Sequence, residues 1–281
     1  MGVTADPLFD LTGKTAVVTG ASGVLCSEIA IALADRGAKV ALLGRTLKNV
    51  EAVSTTIKAK GGSSKAYSCD VMVVEALENV RKEINRDLGT CDILINGAGG
   101  NHPDATTQNP VYDHQNQNTR TFFDMPVSAF QQTFDLNLVG TLLPIKIFAR
   151  DMVDKHESVV LNVSSMSAFN PLTKVPAYSG AKAAVNNLTQ WLATYFAPVN
   201  MRVNAIAPGF FLTSQNKQLL TNEDGSLTPR AQQIIANTPM KRFGDPGDLC
   251  GTVIWLCSDA SRFVTGVVIP VDGGFSAFGG V

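Results

Sequence analysis

The chain alternates short apolar segments with longer amphipathic ones, and this alternation restricts its possible folds more than any other feature. The first apolar segment, Thr15–Thr19, reads Thr-Ala-Val-Val-Thr and has no charged residue. Strands that are apolar on both faces are typical of a parallel sheet covered by helices on both sides. The sequence therefore predicts an α/β fold with a doubly wound parallel sheet.

Hydrophobic periodicity places each element along the chain. The predicted strands are Thr15–Thr19, Lys39–Leu43, Ser64–Ser68, Asp92–Ile95, Ser158–Val163, Met201–Ile206 and Gly266–Val271. The predicted helices are Val24–Arg36, two helices that end near Lys60 and Leu88, Pro126–Asp154, Val175–Ala197 and Asp245–Ser258. This order predicts a single Rossmann-type domain over residues 1–281, with a seven-stranded parallel sheet and helices on both faces.

Two long segments interrupt the alternation. Residues 99–125 form a polar insert rich in Asn and Gln, and residues 209–229 lack clear periodicity. Both segments follow the carboxyl end of a predicted strand, which is where ligands bind in sheets of this kind. Long loops inside a compact domain are usually functional, so we expect the second segment to be a substrate loop.

Composition narrows the possible partners. The formal net charge is −1, so nothing favours binding to nucleic acid or to an anionic membrane surface. No apolar stretch approaches the ~18 residues that a membrane span needs. The five cysteines are widely spaced, which is typical of reduced side chains in a cytoplasmic protein. The histidines and carboxylates match no compact metal-ligand motif, and we expect no metal.

A glycine turn follows the first predicted strand. It reads Thr19-Gly-Ala-Ser-Gly-Val-Leu-Cys26 and opens the first predicted helix. Gly20 and Gly23 permit a tight turn and allow backbone amides to approach a pyrophosphate at the positive end of the helix. The position of this turn between strand and helix indicates a dinucleotide cofactor.

A tyrosine and a lysine stand four residues apart in Tyr178-Ser-Gly-Ala-Lys182, and Ser165 lies thirteen residues upstream of the tyrosine. On a helix such a pair shares one face, so the ammonium group can lower the pKa of the phenol. A serine hydroxyl could hold a carbonyl or alcohol oxygen beside that phenol. Taken alone, the pair is also compatible with a simple surface contact.

Together these motifs resemble the short-chain dehydrogenase/reductase family over nearly the whole chain. The matching residues, in order, are Thr19-Gly20 with its turn, Asp70-Val71, Asn96-Gly-Ala-Gly99, Asn137, Ser165, Tyr178 with Lys182, Pro208-Gly209 and Val271-Asp-Gly-Gly274. The resemblance implies Tyr178 as general acid/base and Lys182 as the group that lowers its pKa and holds the nicotinamide ribose. It also implies that Ser165, rather than Ser164, orients the substrate oxygen, and that Asn137 holds a water in a proton path.

The resemblance also implies the residues that bind NAD or NADP. They are Gly20, Ser22, Gly23, Leu25, Arg45, Asp70, Val71, Asn96, Ala98, Gly99, Tyr178, Lys182, Pro208, Gly209 and Thr213. Val24 and Cys26 replace glycines of the family pattern, and Gly97 replaces its second asparagine. Gly44 leaves no acidic side chain at the end of the second strand, and Arg45 follows it, which slightly favours NADP.

The polar insert gives the best indication of the substrate. Its side chains suit a small, heavily hydroxylated molecule, and Arg120, Lys174 or His102 could contact a carboxylate. A solvated surface or a subunit contact is the alternative for this segment. Local motifs around Gly23–Ser27 and Val271–Phe278 resemble the D-mannonate oxidoreductase (fructuronate reductase) branch, which interconverts D-mannonate and D-fructuronate.

Other functions remain open from the sequence. A sugar-alcohol dehydrogenase, a 3-oxoacyl reductase or a non-catalytic dinucleotide-binding sensor could use the same fold. The family resemblance further implies a homotetramer, in which the long helices that contain Asn137 and Tyr178 pair between subunits.

Overall fold

A computed structural model describes residues 6–115, 118–155, 157–213 and 220–280. Outside the described residues lie Asn116 and Gln117 of the polar insert and positions 214–219 of the expected substrate loop. The remainder of both segments is described, so the surroundings of each predicted site residue can be examined.

The predicted parallel sheet is present, with seven strands in the order β3-β2-β1-β4-β5-β6-β7. Neighbouring strands pair in parallel throughout, so their carboxyl ends meet at one edge of the sheet. The chain order reverses between β1 and β4, which creates a crevice at that edge. The strands are β1 Thr15–Thr19, β2 Lys39–Gly44, β3 Ser63–Ser68, β4 Ile93–Asn96, β5 Ser158–Val163, β6 Met201–Pro208 and β7 Val268–Val271.

Helices cover the two faces of the sheet and form two separate cores. They are α1 Val24–Asp35, α2 Leu47–Ala59, α3 Val74–Asp87, α4 Val127–Phe134, α5 Gly140–Met152, α6 Pro176–Phe196, α7 Pro229–Ala236 and α8 Cys250–Cys257. One core packs α1, α2 and α8 against the sheet. The other packs α3, α5 and α6 against the opposite face. Alternate strand residues supply both cores, which explains why the strands are apolar throughout.

The structure differs from the predicted elements in three places. The helix predicted over Pro126–Asp154 is interrupted by a π-helical turn, Asp135–Val139, between α4 and α5. The late helix begins with a 3₁₀ turn, Pro246–Leu249, because Asp245 and Asp248 form a capping box at its start. Helix α7 was not predicted. Within the described residues, no helix is long and apolar enough to cross a membrane.

Candidate active site

A cleft of about 380 Å³ opens at the carboxyl edge of the sheet. We call it the catalytic cleft. Its walls come from the segments that follow β1, β4, β5 and β6, together with the first two turns of α6. The cleft therefore lies where the chain order of the sheet reverses, the place where such sheets bind ligands. The residues that line it are Gly20, Gly23–Cys26, Gly97, Gly99, Gly100, Val163–Ser165, Tyr178, Lys182, Pro208–Phe211 and Thr213.

The glycine turn shapes the floor of the cleft. Gly20 has a φ of +64°, and an ideal Cβ at this position would lie 2.9 Å from the Ala98 nitrogen. Both the backbone angle and the close approach require glycine. Gly23 is the N-cap of α1, and no side chain accepts a hydrogen bond from the first turn of that helix. These backbone donors therefore remain available to an anionic group, and the turn fits the pyrophosphate of a dinucleotide.

Cys26 and Gly97 both depart from the family pattern, and the two residues pack against each other. Cys26 is buried, and an ideal Cβ on Gly97 would lie 2.1 Å from its Sγ atom. The thiol thus occupies the space that any side chain at position 97 would need. The chain places a larger residue on α1 and a smaller one after β4, so the contact between helix and strand keeps its volume.

Asn137 holds the segment that follows β4. Its Nδ2 atom donates to the Gly100 carbonyl at 2.6 Å and to the Thr133 carbonyl at 2.7 Å, and its Oδ1 atom accepts from the Gly100 nitrogen at 3.2 Å. Gly99 lies directly against both Asn137 and Lys182, since an ideal Cβ there would be 2.7 Å from Asn137 Oδ1 and 3.3 Å from Lys182 Nζ. The π-helical turn carries Asn137, and such turns are frequent at functional sites.

Tyr178 and Ser165 project into the cleft from different elements. Tyr178 lies in the first turn of α6, and Ser165 follows β5 and caps a short 3₁₀ turn. Burial raises the pKa of Tyr178 above its ordinary value, while a hydrogen bond with Ser165 acts in the opposite direction. The phenol is therefore protonated at neutral pH in the cofactor-free protein.

Lys182 is buried beside Tyr178. Its Nζ atom is 5.7 Å from the centre of the Tyr178 ring and donates to the Val163 carbonyl at 2.8 Å. Burial lowers the pKa of Lys182 to about 8, and the nearby Cys26 acts weakly in the opposite direction.

Ser164 is less suited than Ser165 to contact a substrate. The Ser164 hydroxyl donates to the Asn186 side chain and to the Lys182 carbonyl, so it is used to fix α6 against β5. The Ser165 hydroxyl accepts from Ser167, at 3.2 Å from the Ser167 nitrogen and 3.0 Å from its hydroxyl. The Ser165 hydroxyl also forms the hydrogen bond with Tyr178, so both groups lie side by side at the cleft.

Four of the predicted cofactor residues lie near the ends of β2 and β3, outside the lining of the catalytic cleft. Ser22 and Arg45 are exposed near the end of β2, and Asp70 and Val71 follow β3. The Asp70 carboxylate accepts from the Met72 nitrogen at 2.9 Å, which fixes its direction. Asn96 is different: its side chain is buried and donates to Asn162 at 2.9 Å. Asn96 is only 1% exposed and does not line the cleft.

The remaining predicted positions surround the cleft. Ala98 lies behind the glycine turn, and its nitrogen donates to Thr19 Oγ1 at 3.3 Å. Pro208, Gly209 and Thr213 form the wall that follows β6. Phe210 and Phe211 also line this wall, and only their place in the motif Pro208-Gly-Phe-Phe could have indicated them from the sequence.

The described part of the polar insert satisfies much of its own hydrogen bonding. Arg120 forms an ion pair with Asp104 at 2.8 Å, and its backbone pairs with Gln108. The insert also carries exposed apolar side chains, with Phe122 at 61% and Phe123 at 78%. Its side chains are therefore less available to a substrate than the polar composition predicts. Among the described residues, no cluster of three or more His, Cys, Asp or Glu could hold a metal ion.

Comparison with known proteins gives a consistent family assignment. Residues 20–276 match the family model described as enoyl-(acyl carrier protein) reductase. A Haemophilus influenzae protein, provisionally assigned as a D-mannonate oxidoreductase and solved with bound NAD, is 51% identical, with a TM-score of 0.94 over 97% of this chain and 98% of its own.

More distant relatives act on two different kinds of substrate. A 2-dehydro-3-deoxy-D-gluconate 5-dehydrogenase from Formosa agariphila is 33% identical over 96% of this chain and 95% of its own length. The 7alpha-hydroxysteroid dehydrogenase of Escherichia coli is 31% identical over 94% of both chains.

Proposed function

Because the chain belongs to the short-chain dehydrogenase/reductase family, we propose that it interconverts a secondary alcohol and a ketone on a small sugar acid. Our specific proposal for the pair of substrates is D-mannonate and D-fructuronate. The observation that carries the reaction type is the convergence of Ser165, Tyr178 and Lys182 on one cleft beside an uncapped glycine turn.

Each of these side chains would have its own role in the reaction. Tyr178 gives a proton to the carbonyl oxygen during reduction and takes the hydroxyl proton during oxidation. Ser165 donates a hydrogen bond to the same oxygen and stabilises its developing charge. Lys182 supplies a cation beside the phenol, and Asn137 fixes the backbone next to that cation. The nicotinamide of a bound cofactor supplies or accepts the hydride.

The cofactor would bind across the glycine turn with its adenosine end near β2. Gly20, Ser22, Gly23 and Leu25 would hold the phosphates, and Asp70 and Val71 would lie beside the adenine. Arg45 is exposed, and no ion pair joins it to another described residue. It could therefore pair with a 2′-phosphate, which favours NADP, whereas the Haemophilus influenzae relative holds NAD.

Two observations support a sugar acid. The H. influenzae relative is provisionally assigned to D-mannonate, and the F. agariphila relative acts at carbon 5 of a sugar acid. The steroid-active relative is the competing precedent. Lys174 and Arg230 lie beside the cleft among apolar side chains such as Val175, and these two cations are what favours an acidic substrate there.

The decisive experiment records absorbance of reduced nicotinamide with the purified protein. D-mannonate, D-gluconate, D-mannitol, a bile acid and a 3-hydroxyacyl thioester are each supplied with NAD and, separately, with NADP. We expect the fastest reduction with D-mannonate and little with D-mannitol or the bile acid. Faster turnover of the bile acid or the thioester would contradict the sugar-acid proposal. In the variant Arg45→Gln, KM for NADP should rise about tenfold while KM for NAD stays unchanged.

We also propose a cytoplasmic homotetramer. The five cysteines are all free, which supports a reducing compartment. Trp191 and Tyr195 stack at 4.9 Å on α6 and are 59% and 63% exposed, which supports burial of this helix face in an assembly. Light scattering coupled to size exclusion should give a mass near four chains, and a monomeric mass would contradict the proposal.

A further inference from the structure

A second depression adjoins the catalytic cleft and has a different character. It measures about 530 Å³ and lies between the segment that precedes α6, the start of α7 and the turn that contains Phe275. Phe210 lines both this depression and the catalytic cleft, so the two spaces are neighbours. We call it the anion groove, because two cations, Lys174 and Arg230, line it.

The charged side chains that line the groove are all positive. Lys174 and Arg230 both line it, and its described lining contains no carboxylate. Neither cation forms an ion pair with any described residue, although ten ion pairs are present in that part of the chain. Arg120, in contrast, is already neutralised by Asp104. The two cations of the groove are therefore the ones available to an anionic ligand.

The backbone around Lys174 is held in place. Lys174 has a φ of +74°, which is uncommon for a residue with a side chain and costs of order 1 kcal/mol or more. The Lys174 carbonyl accepts a hydrogen bond from the Thr107 nitrogen of the insert at 3.0 Å. Asn170 donates to the Ser276 carbonyl at 3.1 Å and joins the same segment to the C-terminal turn. These contacts fix the direction of the groove wall.

Position along the chain joins the groove to the reaction. Lys174 precedes Tyr178 by four residues, and Val175 and Pro176 connect it to the first turn of α6. A substrate that contacts both Tyr178 and Lys174 would have to extend past Phe210, which lines both spaces. Thr173 and Gln233, which also line the groove, offer uncharged polar groups for further hydroxyls.

We propose that Lys174 and Arg230 bind the carboxylate of the substrate and so select a sugar acid over a neutral sugar. This assignment rests on the proposed function, because it requires a substrate that carries a carboxylate. It replaces the contacts with Arg120 and His102 that the sequence also allowed. Arg230 lies at the start of α7, a helix that the sequence did not predict.

The test compares charge-removing variants with D-mannonate as the substrate. In Lys174→Gln and Arg230→Gln, KM should rise at least tenfold, and in the double variant at least a hundredfold, because hydrogen bonds to charged groups contribute about 1.5–3 kcal/mol each. We expect kcat to change less than threefold and KM for the cofactor to stay constant. Lys174→Arg should retain most of the affinity. Lys58→Gln and Arg36→Gln remove exposed cations at the opposite edge of the sheet and serve as matched controls.

The outcomes separate the two proposals. If the unaltered protein oxidises no sugar acid, the proposed function fails, and the groove assignment fails with it. If it oxidises D-mannonate but both Gln variants keep KM within twofold, only the groove assignment is wrong. Titration calorimetry of D-mannonate into the variants with bound cofactor gives the same decision without turnover. A variant with an altered thermal midpoint is replaced by its Met counterpart before it is scored.

Discussion

The catalytic cleft and the anion groove are neighbours but are built in different ways. The cleft is formed by residues at the ends of β1, β4, β5 and β6, whose backbones are fixed by the sheet and by two buried cores. The groove is formed by the segment that precedes α6, by helix α7 and by the turn that contains Phe275, and its wall is held by single hydrogen bonds such as that of Asn170 with Ser276. The contrast places the chemical groups at the ends of sheet strands and the selectivity on peripheral segments, which can vary without disturbing the sheet.

The largest expected effect lies in the cleft. Tyr178→Phe keeps the ring and removes the proton that the reaction transfers, so kcat should fall at least ~100-fold. Cofactor affinity should change little, and this can be followed by fluorescence of the reduced nicotinamide. Lys58→Gln provides the control for expression and folding. Activity within tenfold of the unaltered protein would show that the cleft is wrongly assigned.

A second variant measures what the cleft costs in stability. Lys182 is buried with a pKa of about 8, below its ordinary value of 10.5, so the unfolded chain holds the proton more tightly. The penalty is fully present below about pH 8 and disappears as the pH rises toward 10.5. Lys182→Met should therefore stabilise the cofactor-free protein by about 2 kcal/mol at pH 7, after loss of the bond to Val163.

Urea unfolding at pH 7 and again near pH 10 checks this expectation. The gain should shrink at the higher pH, and activity should be lost at both. Equal or lower stability of Lys182→Met at pH 7 would contradict the assigned cost of burial. The same comparison with Lys58→Met, at an exposed position, should show no gain that depends on pH.

Packing beneath the glycine turn gives the next largest effect. Gly97→Ala places a methyl group 2.1 Å from Cys26 Sγ and should destabilise the protein by about 1–3 kcal/mol, with weaker cofactor binding. In Cys26→Ala the two Cβ atoms would be 3.6 Å apart, an ordinary contact, so the double variant should recover most of the loss. Additive effects of the two changes would show that the residues do not compensate each other.

The smallest expected effect belongs to the groove. Asn170→Ala removes one exposed hydrogen bond to the Ser276 carbonyl and should lower the free energy of unfolding by less than ~1 kcal/mol. It should nevertheless raise KM for D-mannonate several-fold, because the wall that carries Lys174 loses an attachment. A large loss of stability with unchanged KM would contradict the contrast, because Asn170 would then support the fold rather than the groove.

The sequence predicted the sheet and most of its helices because strands buried on both faces and amphipathic helices leave strong local patterns. It did not predict α7, which has only eight residues and buries only Ala231 and Ile234. The π-helical turn at Asn137 adds one residue per turn without changing composition, so periodicity does not reveal it. Because α7 was not predicted, the sequence also did not identify Arg230, at the start of this helix, as a candidate ligand.

In the candidate site, too, the sequence predicts residues on regular elements but not the contacts between distant segments. Ser165, Tyr178 and Lys182 could be named from spacing, since their elements are fixed by the sheet, and the structure places all three in the cleft. The compensation between Cys26 and Gly97 joins residues that are far apart in the chain and is visible only when α1 lies against the end of β4. The neutralisation of Arg120 by Asp104 likewise depends on how the insert folds back on itself.

The end of β2 limits how the cofactor preference of this protein can change. An ideal Cβ on Gly44 would lie 2.7 Å from the Cγ2 atom of Val50, whose side chain is fully buried and stiff at χ1. An acidic residue at position 44, which could repel a 2′-phosphate, therefore requires a smaller side chain at Val50 on α2. Under the proposed preference for NADP, a switch to strict NAD use would need a change at Val50 as well as at position 44, so packing in the core limits the switch together with the charge of the binding site.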